Sequence, residues 1–144
     1  MAVKPRSSIV TQWIKDSKFL SLDAYGHRVV TDAPKNSGDP FDGFMPNQLL
    51  LASLASCTGI DVIQILQKQR QKVSALQIEI EGIQKKDPPW PYQEIHLTFR
   101  LRGRQLNPTM VERAILLSET KYCSVGATIT GVSRISTSYS IEED

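Results

Sequence analysis

Two cysteines are the residues of this chain best suited to chemistry. Cys57 lies in the stretch SLASCTGID among small residues, and Cys123 lies in KYCSVGATITG, where a predicted helix has just ended. Small neighbours would let another molecule approach Cys57 closely, and a mobile segment would let the Cys123 thiol swing. One thiolate could then be oxidised to a sulfenic acid that the second thiol resolves to a disulfide. This pattern favours a redox function.

A simpler interpretation stays open beside the redox one. Free cysteine is among the most buried residue types, so both thiols could be inert core residues. The two cysteines form neither a CxxC motif nor a Cys/His cluster with zinc spacing, and His27 and His96 lie in separate predicted strands. We therefore predict no metal site.

Length and composition predict a single domain over residues 1–144. With 144 residues and 40% hydrophobic content, the chain can bury a sizeable core. A net charge of +2 argues against nucleic-acid binding. The start, MAVKPRSSIVTQW, lacks the apolar segment of a secretory signal, and polar residues interrupt the longest apolar window, residues 49–66. We expect a cytoplasmic protein with no membrane span and with free thiols.

Cys57 lies in the middle of a long predicted helix over residues 46–70. Pro46 suits the first turn, and Lys68 and Arg70 place cations at the negative end of the helix dipole. Apolar residues occupy nearly every face of its first half, so we expect other structure to enclose it on several sides. The proline- and glycine-rich loop 32–46 leads into this helix, and its length favours a functional role.

The remaining pattern predicts an α+β domain with a mainly antiparallel sheet and helices on one face. Residues 75–102 alternate as one long hairpin with a proline-rich tip. Asn107 is a predicted N-cap, and its helix should end near Lys121. The other predicted segments are short strands at 8–13, 18–23 and 27–31, a final strand at 132–141, and a frayed end over residues 1–7.

The stretches PNQLLLASLASC and KYCSVGATITG resemble the OsmC/Ohr superfamily, the osmotically inducible and organic hydroperoxide resistance proteins. SCTGIDVIQILQKQRQ, ETKYCSV and the ending ISTSYSIE are closer still to the YhfA-like branch. The resemblance covers about residues 10–141. It implies an OsmC-like α+β fold in which two chains intertwine as a homodimer with active sites at the subunit interface.

The resemblance also implies an activity, that of a cysteine-based organic hydroperoxide reductase with peroxiredoxin-like chemistry. Cys57 matches the peroxidatic cysteine and Cys123 the resolving one. The implied substrates are small apolar hydroperoxides, and the implied setting is the oxidative stress response. The resemblance also implies that no cofactor is bound and that an external dithiol of the lipoyl type reduces the disulfide.

This sequence departs from the peroxidase pattern at the helix start. Peroxidases of the family have a glutamate where this chain has Asn47, and that glutamate orients an arginine that favours the thiolate. Arg28 lies in roughly the matching segment, although the family's GGR-type motif is absent and a solvated strand arginine is the alternative. Because an unperturbed cysteine is only about 3% ionised at neutral pH, we expect weak activity if no cation reaches Cys57.

Two further expectations follow from the same residues. Asp61, one helical turn after Cys57, would oppose the thiolate if it lay close, but a capping or interface hydrogen bond is the expected role. The alternative function is a non-catalytic member of the same fold that binds a small molecule or senses redox state.

Overall fold

The computed structural model describes residues 5–144. Of the segment expected to be frayed, residues 1–4 lie outside this range and residues 5–7 have no regular secondary structure. The chain divides into two compact units, one ending at Leu49 and one over Leu50–Asp144. A single domain over residues 1–144 therefore stays a prediction.

The first unit contains a three-stranded antiparallel sheet in the order β1-β2-β3. The strands are β1 (Val10–Lys15), β2 (Lys18–Leu22) and β3 (Arg28–Thr31). All three were predicted, with ends that differ by up to two residues. β1 is exposed along its whole length, and its Trp13 is 66% exposed. Because alternate residues of a strand face opposite sides, neither face of β1 is enclosed within this unit.

The long loop after β3 folds around the carboxylate of Asp32. That carboxylate accepts hydrogen bonds from the backbone N–H of Asp42 at 2.9 Å and of Ala33 at 2.8 Å. These donors hold the pKa of Asp32 below its ordinary value, Asp42 contributing most. Gly43 has φ 143°, and a Cβ there would lie 2.7 Å from the Val30 carbonyl oxygen, so only glycine fits.

The helix α1 (Pro46–Lys68) begins at the predicted proline and ends two residues before the predicted end. Ile60, in mid-helix, is 58% exposed, so the expectation that other structure encloses α1 on several sides is not met within the described chain. Length and composition alone would let α1 cross a membrane, as they would the core helix of a soluble protein. The buried residues of α1 recur every four positions as one stripe: Leu54, Thr58, Val62 and Leu66.

The second unit is built on a mixed sheet with β5 at its centre. β4 (Lys72–Gln84) and β5 (Tyr92–Arg104) form the predicted antiparallel hairpin. β6 (Arg134–Glu143) pairs with the other edge of β5 in parallel, which the sequence pattern did not predict. A parallel pair needs a crossover connection, and here helical segments supply it. They are α2 (Pro108–Leu117), a π-helical turn (Ser118–Tyr122) and α3 (Ser124–Ile129).

The core lies between one face of β5 and the helices α1 and α2. The alternation predicted for β5 is confirmed, because its inward side chains are each at most 2% exposed. They share one apolar cluster with the buried stripe of α1 and with Val111, Ala114 and Ile115 of α2. The inward side chains of β5 are Ile95, Leu97, Phe99 and Leu101.

Candidate redox site

The helix α1 places Cys57 beside the buried stripe. Cys57 is half-buried, whereas the next residue, Thr58, is 4% exposed and faces the core. Gly59 follows, and a Cβ at that position would lie 3.0 Å from the terminal carbon of Ile78 in β4. The small residues around Cys57 therefore let α1 approach the sheet closely.

Cys123 is the N-cap residue of α3. Its backbone N–H donates to the Ser118 carbonyl oxygen at 2.9 Å, and its sulfur accepts the Gly126 N–H at 3.2 Å. The residue is 4% exposed. A predicted helix was expected to end just before Cys123, and the structure adds a second helix directly after it, since SVGATI is helical and the cysteine side chain caps its first turn. The expected mobility of this segment stays a prediction.

The structure brings the two predicted cysteines together. Both are free thiols, and the Cys57 thiol interacts with that of Cys123. The hydroxyl of Thr58 donates to the Cys123 sulfur at 3.6 Å. Burial is the main cause that raises the pKa of Cys123, and Cys57 raises it further, while the donors Gly126 and Thr58 act in the opposite direction. At neutral pH Cys123 is therefore held mainly as the thiol.

Asp61 takes part in a hydrogen bond that links α1 to the π-helical turn. The hydroxyl of Ser118, which is completely buried, donates to its carboxylate at 2.8 Å. The expectation that Asp61 serves as a hydrogen-bonding residue is confirmed. This bond holds the π-helical turn, and with it the Cys123 backbone, against the helix that carries Cys57.

The two supporting residues lie in the first unit, whereas both cysteines lie in the second. Asn47 is exposed in the first turn of α1, and Arg28 is exposed at the start of β3. Their predicted roles at Cys57 remain predictions. Among the described residues, no cation contributes to the shift in the pKa of Cys123.

The histidines have separate partners. His27 contacts the Asp23 carboxylate at 2.7 Å, and His96 lies between the hydroxyls of Ser136 at 2.7 Å and Ser138 at 2.9 Å on the polar face of the sheet. Within residues 5–144, no three His, Cys, Asp or Glu side chains group as metal ligands would. Neither histidine contacts a cysteine in these hydrogen bonds, so the pair of thiols is the candidate site.

Two recesses border this region. A cavity of about 570 Å³ lies against Cys123 and Thr58, between α3, the start of β6 and Leu97 of β5. Cys57 is not among the described residues that line it. A wider groove of about 920 Å³ runs between the outer face of α1, from Ala52 to Gln67, and β4.

Comparison with known proteins identifies the family. A family model described as OsmC-like protein matches residues 37–138. The chain belongs to the OsmC-like protein family. The protein YhfA of Escherichia coli K12 is 34% identical to this OsmC-like protein over 130 residues, which cover 90% of this chain and 94% of YhfA. The predicted resemblance to the superfamily and its YhfA-like branch is confirmed.

Solved structures of OsmC-like folds agree with this assignment. A hypothetical protein from Aquifex aeolicus is 27% identical and superposes with a TM-score of 0.87, covering 98% of this chain and 99% of that one. An organic hydroperoxide resistance protein from Legionella pneumophila is 15% identical with a TM-score of 0.67, covering 96% of this chain and 99% of that one. At that lower identity the likeness shows the fold alone. The predicted α+β, OsmC-like fold is confirmed.

Sequence reasoning missed two residues of the OsmC-like site, Thr58 and Gly126. Thr58 shares its four-residue spacing with Leu54 and Val62, so the pattern itself places a hydroxyl in the buried stripe. Gly126 had no comparable signal. A Cβ at Gly126 would lie 3.3 Å from the Cys123 sulfur, so glycine keeps the space around this thiol open.

Proposed function

We propose that this OsmC-like protein is a thiol peroxidase that reduces organic hydroperoxides, with Cys57 attacking and Cys123 resolving. The observation that carries the proposal is the interaction between two free thiols from different elements, α1 and the start of α3. Two interacting thiols can form a disulfide once one of them is oxidised to a sulfenic acid. Organic hydroperoxides are proposed as the substrate class because the resemblance of the cysteine motifs implies them, and the Legionella protein of the same fold is named an organic hydroperoxide resistance protein.

Exposure and charge support this division of roles. Cys57 is half-buried, so a peroxide can reach it more easily than Cys123, which is 4% exposed. Because burial raises the pKa of Cys123, that residue is a poor first nucleophile at neutral pH. A resolving thiol needs only to react with a sulfenate beside it.

The proposed cycle has two protein steps. The Cys57 thiolate attacks one peroxide oxygen, the O–O bond breaks, the alcohol leaves with a proton, and Cys57 becomes a sulfenic acid. Cys123 then attacks the Cys57 sulfur, and hydroxide leaves as water while the disulfide forms. An external dithiol restores both thiols, with no bound cofactor. We expect this cycle to operate in the cytoplasm.

Activity is proposed to be modest. A thiol peroxidase depends on a cation that favours its thiolate, and Asn47 supplies no charge to orient one. Cys57 lies about three turns from the N-terminus of α1, which also puts it beyond the reach of the positive end of the helix dipole. Slow turnover with organic hydroperoxides is therefore the expected behaviour.

We also propose that the protein works as a homodimer. The groove between α1 and β4 is lined by apolar residues such as Ile63 and Ile78, and Ile60 is 58% exposed. A membrane is a poor occupant, because the sheet packed on α1 carries Glu79 and Arg100 on its other face, and charged groups are costly in lipid. A second copy offers the same apolar surface in return, as a two-fold interface requires.

A second candidate function is small-molecule binding or redox sensing without peroxide turnover. The cavity of about 570 Å³ beside Cys123 favours it, since its volume suits a small ligand. A binder needs this cavity but no activated Cys57. The two candidates differ in whether Cys57 reacts faster than an ordinary thiol.

The deciding experiment is the second-order rate constant for oxidation of Cys57 by cumene hydroperoxide, in the wild type and in Cys123→Ser. We expect a rate above that of free cysteine but modest for a peroxidase, a sulfenate trapped by dimedone in the variant, and a disulfide in the wild type. Cys57→Ser is the matched control and should not react. A wild-type rate no faster than free cysteine would reject the peroxidase and favour the binding function.

A further inference from the structure

We propose that the outer face of the sheet in the second unit carries a serine nucleophile, Ser138, which His96 activates for the hydrolysis of small esters. Ser138 attacks the ester, His96 acts as the general base, and Ser136 orients the imidazole. This activity is separate from the thiol pair and does not depend on the proposed peroxidase.

The strand pattern places these side chains on one face. Alternate residues of a strand face the same side, so the run STSYS in β6 directs Ser136 and Ser138 outward, and both are exposed. In β5 the buried Leu97 faces the core, so its neighbours His96 and Thr98 face outward. The parallel register sets His96 beside Ser136. It also sets Thr98 beside Ser138, so the four polar side chains form one cluster.

Both nitrogens of the His96 imidazole contact serine hydroxyls. Nδ1 lies 2.7 Å from the Ser136 oxygen, and Nε2 lies 2.9 Å from the Ser138 oxygen. A neutral imidazole has one N–H donor and one acceptor nitrogen. When Nδ1–H donates to Ser136, the Ser138 hydroxyl donates to Nε2, the base that would remove its proton. A hydroxyl within hydrogen-bond reach of a base, which a third group orients, is the arrangement that nucleophilic catalysis uses.

Two observations select Ser138 rather than Ser136 as the nucleophile. The Thr98 hydroxyl lies 3.3 Å from the Ser138 oxygen, and a hydrogen bond donated by Thr98 leaves the Ser138 proton for the imidazole. A recess of about 450 Å³ also opens on the same face, lined in part by Ser140 and Arg100. Ser140 is the next outward residue of β6, so the recess adjoins Ser138 and can receive part of an ester.

The charges around this recess favour an uncharged substrate. Arg100 is paired with Glu79 at 3.0 Å. Arg102 is paired with Glu142 at 3.2 Å. Because each guanidinium already has a carboxylate partner, an anionic leaving group would have to compete with it. The face is also open to water, so solvent rather than donors in a dry site stabilises the oxyanion. Small uncharged esters with a good leaving group, such as aryl esters, are therefore the expected substrates.

The hydrolysis balances in two steps. The Ser138 oxygen bonds to the ester carbonyl carbon while Nε2 of His96 takes the hydroxyl proton. The bond from that carbon to the leaving oxygen then breaks, the imidazolium gives its proton to the leaving alcohol, and Ser138 keeps the acyl group. Water next attacks the acyl carbon with His96 as its base, which releases the acid and restores the serine hydroxyl. Water is the co-reactant, and nothing is oxidised or reduced.

Acetylation by p-nitrophenyl acetate tests the proposal. The parent protein for the assay is the full chain with Cys57→Ser and Cys123→Ser, so that neither thiol reacts with the ester. We expect mass spectrometry to find the acetyl group on Ser138. We expect Ser138→Ala and His96→Gln each to slow the release of p-nitrophenolate about tenfold or more, because each removes the general-base pathway.

Ser21→Ala and His27→Gln are the matched controls. Ser21 contacts the Thr11 hydroxyl at 2.9 Å, and His27 contacts the Asp23 carboxylate at 2.7 Å, so each has a partner of a different kind. Both variants should react at the parent rate. Equal rates in Ser138→Ala and the parent protein, or acetyl groups on histidine or lysine alone, would overturn the proposal.

The orienting role of Ser136 has its own test. Ser136→Ala should slow acetylation roughly threefold to tenfold, which corresponds to the net free energy of one hydrogen bond. Ser136→Thr restores the hydroxyl and should recover most of the rate. A fluorophosphonate reagent, which labels activated serines, should label Ser138 in the parent protein and not in His96→Gln. An acetyl group on Ser136 instead of Ser138, or a parent protein that the fluorophosphonate does not label, would reject the assignment.

Discussion

The hydroxyl of Thr58 donates a hydrogen bond to the sulfur of Cys123 at 3.6 Å, and Thr58 is the residue directly after Cys57. One turn of α1 therefore supplies both the proposed attacking thiol and a donor to the proposed resolving thiol. The Gly126 N–H is the second donor to the same sulfur, at 3.2 Å. These donors favour the thiolate of Cys123 against the effect of burial.

Thr58→Val should slow the resolving step. The change keeps the shape of the side chain but removes the donor, so the pKa of Cys123 should rise further and less thiolate is present at neutral pH. We expect disulfide formation from the Cys57 sulfenate to slow roughly threefold to tenfold. This factor corresponds to the net free energy of one hydrogen bond. The measurement is the rate of disulfide formation as a function of pH.

Thr58→Ser restores the hydroxyl and should recover most of the rate. In a Cys57→Ser background, thiolate absorbance at 240 nm should appear at higher pH for Thr58→Val than for Thr58. Equal titration curves for these proteins would show that the hydroxyl has no influence on Cys123.

Gly126→Ala tests how closely the Cys123 sulfur is surrounded. The added methyl group would lie 3.3 Å from that sulfur and 3.5 Å from a methyl carbon of Leu54, so the thiol must shift by a few tenths of an ångström. Because disulfide geometry is narrow, we expect slower disulfide formation by diamide in the variant. Ala127→Ser, on the exposed side of α3, is the control. Unchanged kinetics in Gly126→Ala would mean that the sulfur has room to move.

Ser118→Ala should destabilise the second unit. The Ser118 hydroxyl is completely buried and donates to the half-buried carboxylate of Asp61 at 2.8 Å. Removing it leaves that acceptor without the donor, a change that costs about 1–3 kcal/mol. Urea denaturation should show this loss, whereas Thr120→Ala, at an exposed position of the π-helical turn, should change the stability by less than about 0.5 kcal/mol. Similar losses in both variants would contradict the role given to Asp61.

Acid should loosen the loop that precedes α1. The pKa of Asp32 is lowered in the folded state by the N–H groups of Asp42 and Ala33, so the stabilising effect of its carboxylate is complete above the ordinary pKa of 3.8. This stabilisation is lost as the pH falls through the lower pKa that Asp32 has in the folded state. The protection factor of the Asp42 amide, which is its exchange rate relative to the intrinsic rate at the same pH, should therefore be high at neutral pH and lower below pH 3.8.

Asp32→Asn separates this effect from general acid unfolding. The variant should exchange the Asp42 amide faster than the wild type at neutral pH, and the two should converge in acid. A difference between them that persists at the lowest pH would show that the Asp32 charge is not the cause.

The sequence predicted those parts of the fold that depend on the pattern of neighbouring residues. Alternation in β5 and Pro46 at the start of α1 are properties of neighbouring residues, and both were predicted correctly. The parallel pairing of β6 with β5 depends on where the chain returns after the crossover, which no local pattern encodes. Helix α3 was missed because SVGATI contains glycine and β-branched residues, which have weak helix propensity.

The candidate site was likewise predicted only in part. Cys57 and Cys123 were found by residue type and by resemblance, and the structure places them together. Thr58 and Gly126 matter through distances to the Cys123 sulfur, which become visible only after α1 and α3 are placed. Whether Arg28 and Asn47 act on Cys57 stays a prediction, since they belong to the other unit.

The parallel pairing of β6 with β5 also determines when the thiol pair comes into existence. Cys123 lies on the crossover between these strands, and that crossover is closed only when β6 has docked beside β5. Bringing together segments that are distant in sequence costs loop-closure entropy, which must be overcome before their contacts can form. A nascent chain that has emerged only as far as β5 therefore carries Cys57 without its partner. During synthesis, an oxidant that reaches such a chain would meet a thiol that nothing can yet resolve.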